Sequence, residues 1–79
     1  MKTEDAFAIV VKKYRKKEKL SQEKLAHICD FDRTYISLLE RGKRSPSLSN
    51  IFRIAKGLNI KPSVLVIEVE ELVCEELKL

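Results

Sequence analysis

Two helix starts and two helix stops crowded between Ser21 and Gly42 restrict this chain more than any other feature of its sequence. Ser21 is a good N-cap, and Gln22 and Glu23 after it place an acceptor side chain and a negative charge in a first helical turn. That helix runs roughly from Gln22 to Ile28, with Leu25, Ala26 and Ile28 on its buried side. Cys29, Asp30 and Phe31 follow as a tight turn. Asp32 then offers a second N-cap, and a further helix runs from Arg33 to about Arg41 before Gly42 ends it. Two short helices joined by so short a turn put the second at a steep angle to the first, with its outer face free.

The flanking segments supply something for this pair to pack on. From Asp5 to Lys19 the apolar residues Ala6, Phe7, Ile9, Val10, Val11 and Tyr14 recur at helical spacing, with Lys12, Lys13, Lys16 and Lys17 opposite. After a basic loop from Lys43 to Pro46, Ser47 caps a fourth helix carrying Leu48, Ile51, Phe52, Ile54, Ala55 and Leu58. Asn59 to Lys61 break it, and Pro62 suits the first position of a fifth. In that fifth segment the β-branched run from Val64 to Val69 would serve as a strand on propensity alone. Leu65, Val69, Leu72 and Val73 recur at i, i+4, i+7 and i+8, a helical stripe that favours helix through Leu77. The expected fold is an all-α, compact five-helix bundle.

At 79 residues there is room for one domain, spanning residues 1–79, and a lone core of this size rarely supplies more than roughly 3–5 kcal/mol. Association with a second copy would help. Cys29 and Cys74 stand far apart with no companion near either, so neither belongs to a metal-spacing or redox motif, and two reduced thiols are expected. No secretory leader and no apolar run of about 18 residues is visible, which points to a soluble, cytoplasmic protein without a membrane partner.

Charge is unevenly placed. Residues 1–44 carry a net +5, residues 45–62 a net +3, and residues 63–79 a net −4, with Lys78 alone against Glu68, Glu70, Glu71, Glu75 and Glu76. A basic body attracts a polyanion and an acidic tail does not. On charge alone a solvated face remains the plainer reading. The helix after Asp32 sharpens it. Ile36 and Leu39 lie inward, so Arg33, Thr34, Ser37, Leu38 and Arg41 point away from the core. Such a face can read base edges, with a guanidinium for guanine, hydroxyls for several acceptors and an aliphatic for a thymine methyl.

Over about residues 6–67 the chain resembles the phage-repressor and Cro type of helix-turn-helix domain. The resemblance rests on Ser21-Gln22-Glu23-Lys24-Leu25-Ala26, Arg33-Thr34-Tyr35-Ile36-Ser37, Glu40-Arg41-Gly42-Lys43 and Ala55-Lys56-Gly57-Leu58, in order and at family spacing. Within that family, Asp32 to Ser37 and the lack of a second domain are most similar to the controller proteins of restriction-modification systems. The resemblance implies a dimeric transcriptional regulator that binds paired operators and controls its own gene and the endonuclease gene.

Position by position, the resemblance makes Gln22 a phosphate contact whose amide can also brace the recognition helix, and puts Arg33 and Thr34 at the bases, with Ser37 beside them. Tyr35 either reaches a phosphate or sugar edge or lies partly buried over the core. Leu38 either touches thymine methyls or is simply an exposed leucine. Arg41, Lys43 and Arg44 fall where phosphates and the minor groove are met, contacts that position without specifying. Arg15 and Glu40 match a structural ion pair between the first and third helices. Two departures stand out: Lys19, where the family usually has glycine after the first helix, and Asp30 in the turn. Aspartate tolerates a left-handed backbone, whereas lysine there costs of order 1 kcal/mol, so a differently shaped junction after the first helix is expected.

The fifth segment carries Val64, Leu65, Val66, Ile67, Val69, Leu72, Val73, Leu77 and Leu79, more apolar surface than one small domain covers. A two-fold partner is the economical answer, with residues 63–79 as the dimerisation helix and Leu65, Val69, Leu72 and Val73 as its seam; the plainer alternative is that this apolar side packs on the first helix, and both can hold. Two recognition helices about 34 Å apart would then read a near-palindromic duplex operator. RNA polymerase is a further candidate partner. The alternative from another class is an antitoxin, its apolar tail docking a toxin. An enzyme is not expected, because the single His27 has no organised nucleophile, carboxylate pair, metal ligands or cofactor motif around it and reads as a surface residue.

Overall fold

The computed structural model describes residues 1–77, with side chains through Cys74. Leu79, Lys78 and the side chains of Glu75, Glu76 and Leu77, counted above in the tail, lie outside the described residues. Among the described residues every regular element is a helix: α1 (Thr3–Lys17), α2 (Gln22–Cys29), α3 (Arg33–Glu40), α4 (Leu48–Gly57) and α5 (Pro62–Leu77).

Local chemistry accounts for most of the boundaries. Ser21 Oγ accepts the Lys24 N–H at 3.0 Å and Ser47 Oγ accepts the Asn50 N–H at 3.1 Å, each satisfying an otherwise unpaired donor of a first turn. Asp32 holds the N-cap position of α3 by its extended backbone alone, since its carboxylate makes no capping hydrogen bond. Helix α1 begins two residues earlier than the apolar pattern suggests and stops at Lys17, with Glu4 and Asp5 in its first turn and Arg15, Lys16 and Lys17 in its last, matching its dipole.

The differently shaped junction expected after α1 does not occur. Lys19 takes the left-handed backbone at φ 59° that glycine would occupy. Lys19 N–H to Lys16 O and Leu20 N–H to Arg15 O close the helix end, and Arg15 Nη1 donates to Leu20 O at 2.7 Å. These bonds offset the cost of the lysine Cβ. Asp30 at φ 60° closes α2 in the same conformation, and Asn59 at φ 59° follows α4. Gly42 at φ 70° continues the series; an added Cβ would lie 2.4 Å from Asp5 Oδ1, the end of an exposed side chain that can swing aside, so it is the backbone conformation that favours glycine.

The core is drawn from all five helices, with Val10, Val11, Leu25, Ile36, Leu39, Ile54, Leu58 and Leu65 fully buried. Helix α1 packs on α3 and α5, α2 on α3 and α4, and α4 on α5. Close passage of α2 and α4 depends on Gly57, where an added Cβ would lie 2.4 Å from Cys29 Sγ. Cys29 and Cys74 are both free thiols. Burial pushes the Cys29 thiol up, so it stays protonated and inert.

Not every apolar residue of these helices turns inward, and Ile28, read on the buried side of α2, is among those that do not. Ile9, Ile28, Leu48 and Phe52 are 47–69% exposed, and Ala8 and Cys29 are buried instead. A single helical stripe is narrower than the run of apolar residues in these segments, so those at its edge fall outside. The β-branched run in α5 is helical. Leu65 and Val69 on one face are buried in the common core, and that burial outweighs strand propensity.

Candidate nucleic-acid interface

Helix α3 is anchored from behind by a buried polar cluster. Arg15 Nε donates to Glu40 Oε2 at 2.6 Å and Arg15 Nη2 to Glu40 Oε1 at 2.9 Å, a two-pronged pair between α1 and α3. Gln22 Nε2, from the first turn of α2, adds a third bond to Glu40 Oε1 at 3.2 Å. The hydrogen bonds that Arg15 donates to the Glu40 carboxylate hold its guanidinium above its ordinary value, so it stays cationic. Among the described residues no buried side-chain nitrogen or oxygen lacks a partner. A buried charge pair is tolerable only when its remaining donors and acceptors are also satisfied, as they are here. The expected Arg15–Glu40 pair is therefore formed, and the Gln22 amide braces α3.

With Ile36, Leu39 and Glu40 turned inward, the opposite side of α3 faces outward. Arg33 and Thr34 are exposed in its first turn, Ser37 and Leu38 are half-buried, and Arg41 is exposed at its end with Nε donating to Ser37 O at 3.4 Å. Arg33, Thr34, Ser37 and Arg41 line one shallow depression, and Arg33 also borders a groove with Ser21, Gln22 and Glu23 at the start of α2. Lys43 and Arg44 are exposed in the loop just beyond Gly42. Because Arg15 neutralises Glu40, the charge along α3 and its following loop is that of Arg33, Arg41, Lys43 and Arg44, opposed by the single exposed carboxylate of Asp32 at the N-cap. The geometry brings Gln22, Arg33, Thr34, Ser37, Leu38, Arg41, Lys43 and Arg44 to α3 and the elements flanking it.

Tyr35 is half-buried on the flank of α3 and is more constrained than its sequence context suggests. Its ring stands 4.8 Å from that of Phe31, tilted by 48°, and its hydroxyl accepts from Asn50 Nδ2 at 2.9 Å. Arg53 of α4 stacks over Phe31 at 4.0 Å and donates from Nη2 to the carbonyls of Cys29 and Asp30, both at 2.8 Å. Sequence reasoning missed Asn50 and Arg53. Their roles depend on where α4 crosses the turn, and local spacing carries no signal of that crossing.

Of the four α5 residues expected at a seam, Leu65 and Val69 are taken up by this chain's own core. Leu65 is fully buried and Val69 nearly so within this chain's own core, and Leu72 and Val73 are partly buried against it. Leu65 therefore has no surface left to offer a partner. Among the described residues, the large apolar side chains left exposed on the neighbouring helices α4 and α5 are Leu48, Phe52, Val66 and Ile67. Lys13 and Tyr14 of α1 both donate to Glu68 of α5, fastening the inner side of that helix. Among the described residues no group of three His, Cys, Asp or Glu side chains is placed to hold a metal ion, and no helix is long and apolar enough to cross a membrane.

Two short helices at a tight turn, the second presenting a cationic outer face, define a helix-turn-helix module, and residues 11–65 match the helix-turn-helix family model. The chain belongs to that family. Its relatives include control proteins of restriction-modification systems and a phage immunity repressor. It is 54% identical over 50 residues to the control protein C.BamHI of Bacillus amyloliquefaciens, covering 63% of this chain and 62% of that relative, so the match spans less than two thirds of its length. The crystal structure of the controller protein C.AhdI from Aeromonas hydrophila superposes with a TM-score of 0.76 at 39% identity, covering 78% of this chain and 94% of that one. The controller protein C.Esp1396I, solved as a tetramer in complex with its natural 35 base-pair operator, superposes with a TM-score of 0.78 at 33% identity, covering 87% and 96%.

Proposed function

We propose that this chain is a sequence-specific, double-stranded-DNA-binding transcriptional regulator that acts as a homodimer, in the role of a restriction-modification controller. The observation that carries the reading is α3 itself, held rigidly by Arg15, Glu40 and Gln22 while Arg33, Thr34, Ser37, Leu38 and Arg41 point outward. Arg33 and Thr34 stand at the end of α3 that enters a major groove first, where a guanidinium takes guanine and a hydroxyl takes either edge. Gln22, Tyr35, Arg41, Lys43 and Arg44 flank them at the height of the phosphates. The relatives favour a controller over an antitoxin. A binding role without chemistry, in the cytoplasm where the DNA is, follows from the same reading, with RNA polymerase as the further partner of a regulator.

A controller must also present two copies of α3 in register. The exposed apolar residues Leu48 and Phe52 of α4 and Val66 and Ile67 of α5 offer the surface for a two-fold seam. Support for association comes from C.Esp1396I, which assembles as a tetramer on its operator.

Fluorescence anisotropy with a labelled duplex taken from immediately upstream of the coding region, against a random duplex of equal length at the same salt, tests the proposal. Binding tighter on the upstream duplex by about a thousandfold or more is expected of a specific regulator. Equal affinity for the two would remove the sequence-specific role.

A further inference from the structure

The Tyr35 hydroxyl has one proton to give and two lone pairs to accept with. Asn50 Nδ2 occupies one lone pair at 2.9 Å. Because that neighbour is a donor, the hydroxyl proton is left for an acceptor elsewhere. We propose that Asn50 is a positioning residue for DNA binding, fixing the Tyr35 phenol as a hydrogen-bond donor to a backbone phosphate oxygen. This rests on the reading that α3 faces DNA.

Both sides of the bond are held. Asn50 sits in the first turn of α4, half-buried, with its own backbone N–H fixed on Ser47 Oγ at 3.1 Å. On the other side the phenol ring is walled by Phe31, which is itself covered by Arg53, and Arg53 grips the carbonyls of Cys29 and Asp30. Helix α4 thus supplies both the hydrogen bond that orients the hydroxyl and the support behind the ring. Tyr35 stands between exposed Thr34 and buried Ile36, on the flank of α3 rather than along its outer crest, which suits the strand backbone better than the floor of a groove. A phosphate oxygen accepts only, so the polarity set by Asn50 is the one it needs. A group held in its bound orientation beforehand also loses less freedom on binding.

The test is a double-mutant cycle on binding to the upstream duplex, with thermal melts confirming that each variant is folded. Tyr35→Phe is expected to weaken binding about tenfold, as for a lost hydrogen bond to a charged group. Asn50→Ala is expected to weaken it about three- to fivefold in the wild-type background and by less than about 1.5-fold when Tyr35 is already Phe. Asn50→Asp keeps the size of the side chain and reverses its polarity, drawing the phenolic proton to itself. It should cost more than Asn50→Ala when Tyr35 is present, with that excess reduced in the Tyr35→Phe background. Equal losses from Asn50→Ala in the two backgrounds would overturn the proposal, because Asn50 would then not act through the phenol. If Tyr35→Phe binds like the wild type, Tyr35 leaves the interface and the proposal falls with it. A retained loss from Arg33→Ala would show that α3 still faces DNA.

Discussion

Arg33 stands exposed in the first turn of α3 beside Thr34, and its side chain lies open at a shallow depression shared with Thr34, Ser37 and Arg41. That openness suits a side chain meant to pair with guanine through two parallel hydrogen bonds. Arg33→Ala is therefore expected to lose roughly 1–3 kcal/mol on the specific duplex and little on random DNA, measured as a ratio of dissociation constants. Equal loss on both would make it a phosphate contact. Lys43 and Arg44 play the complementary part. Each lies exposed beyond Gly42, where the left-handed turn carries the chain off the end of α3. Replacing either by Ala should lower the slope of log affinity against log salt by about one counterion while leaving the preferred sequence unchanged. An unaltered slope would take that residue away from the phosphates.

At the scale of elements, the ties between helices decide whether α3 and α5 hold their places. Lys13 and Tyr14 hydrogen-bond Glu68 and hold its carboxyl below the ordinary glutamate value, and the same contact holds Lys13 above the ordinary lysine value. A depressed carboxyl contributes stability above its unfolded value of about 4.3 and loses that contribution as pH falls through the lower folded value. Melting temperature measured against pH should accordingly show Glu68→Gln less stable than wild type at neutral pH, with the gap narrowing as pH falls below about 4. A gap that stays constant into acid would mean the carboxylate charge contributes nothing. The helix pair from Gln22 to Glu40 was legible in the sequence because its starts and stops are chemical and local: Ser21, Asp30 and Gly42 each act within a few residues. Arg15–Glu40 was legible only through the family resemblance. Asn50, Arg53 and Glu68 were not legible at all, since each reaches a partner more than ten residues away across a helix crossing. Lys19 shows the opposite case, where a local rule against a left-handed lysine was outweighed by the bonds around it.

For the whole molecule, the question is what lies across from the exposed apolar residues of α4 and α5. The apolar stripe of α5 suggested a seam on Leu65, Val69, Leu72 and Val73, but periodicity identifies a buried face without saying whether the same chain or another one buries it. Leu65 faces inward, and Phe52 and Ile67 are more than half exposed. Phe52→Glu and Ile67→Glu should therefore give folded monomers in analytical ultracentrifugation, whereas Leu65→Glu should unfold the chain through an unpaired buried charge. Dimers surviving both surface variants would place the seam elsewhere. Only a paired protein can convert one short α3 into recognition of a long site, because two α3 helices about 34 Å apart fall in successive major grooves on one side of the duplex. Enrichment of bound duplexes from a random-sequence pool, followed by sequencing, tests that most directly. A near-palindrome whose half-sites are centred about 10 base pairs apart is the predicted outcome. Recovery of a single asymmetric site, or of no preferred sequence at all, would contradict it.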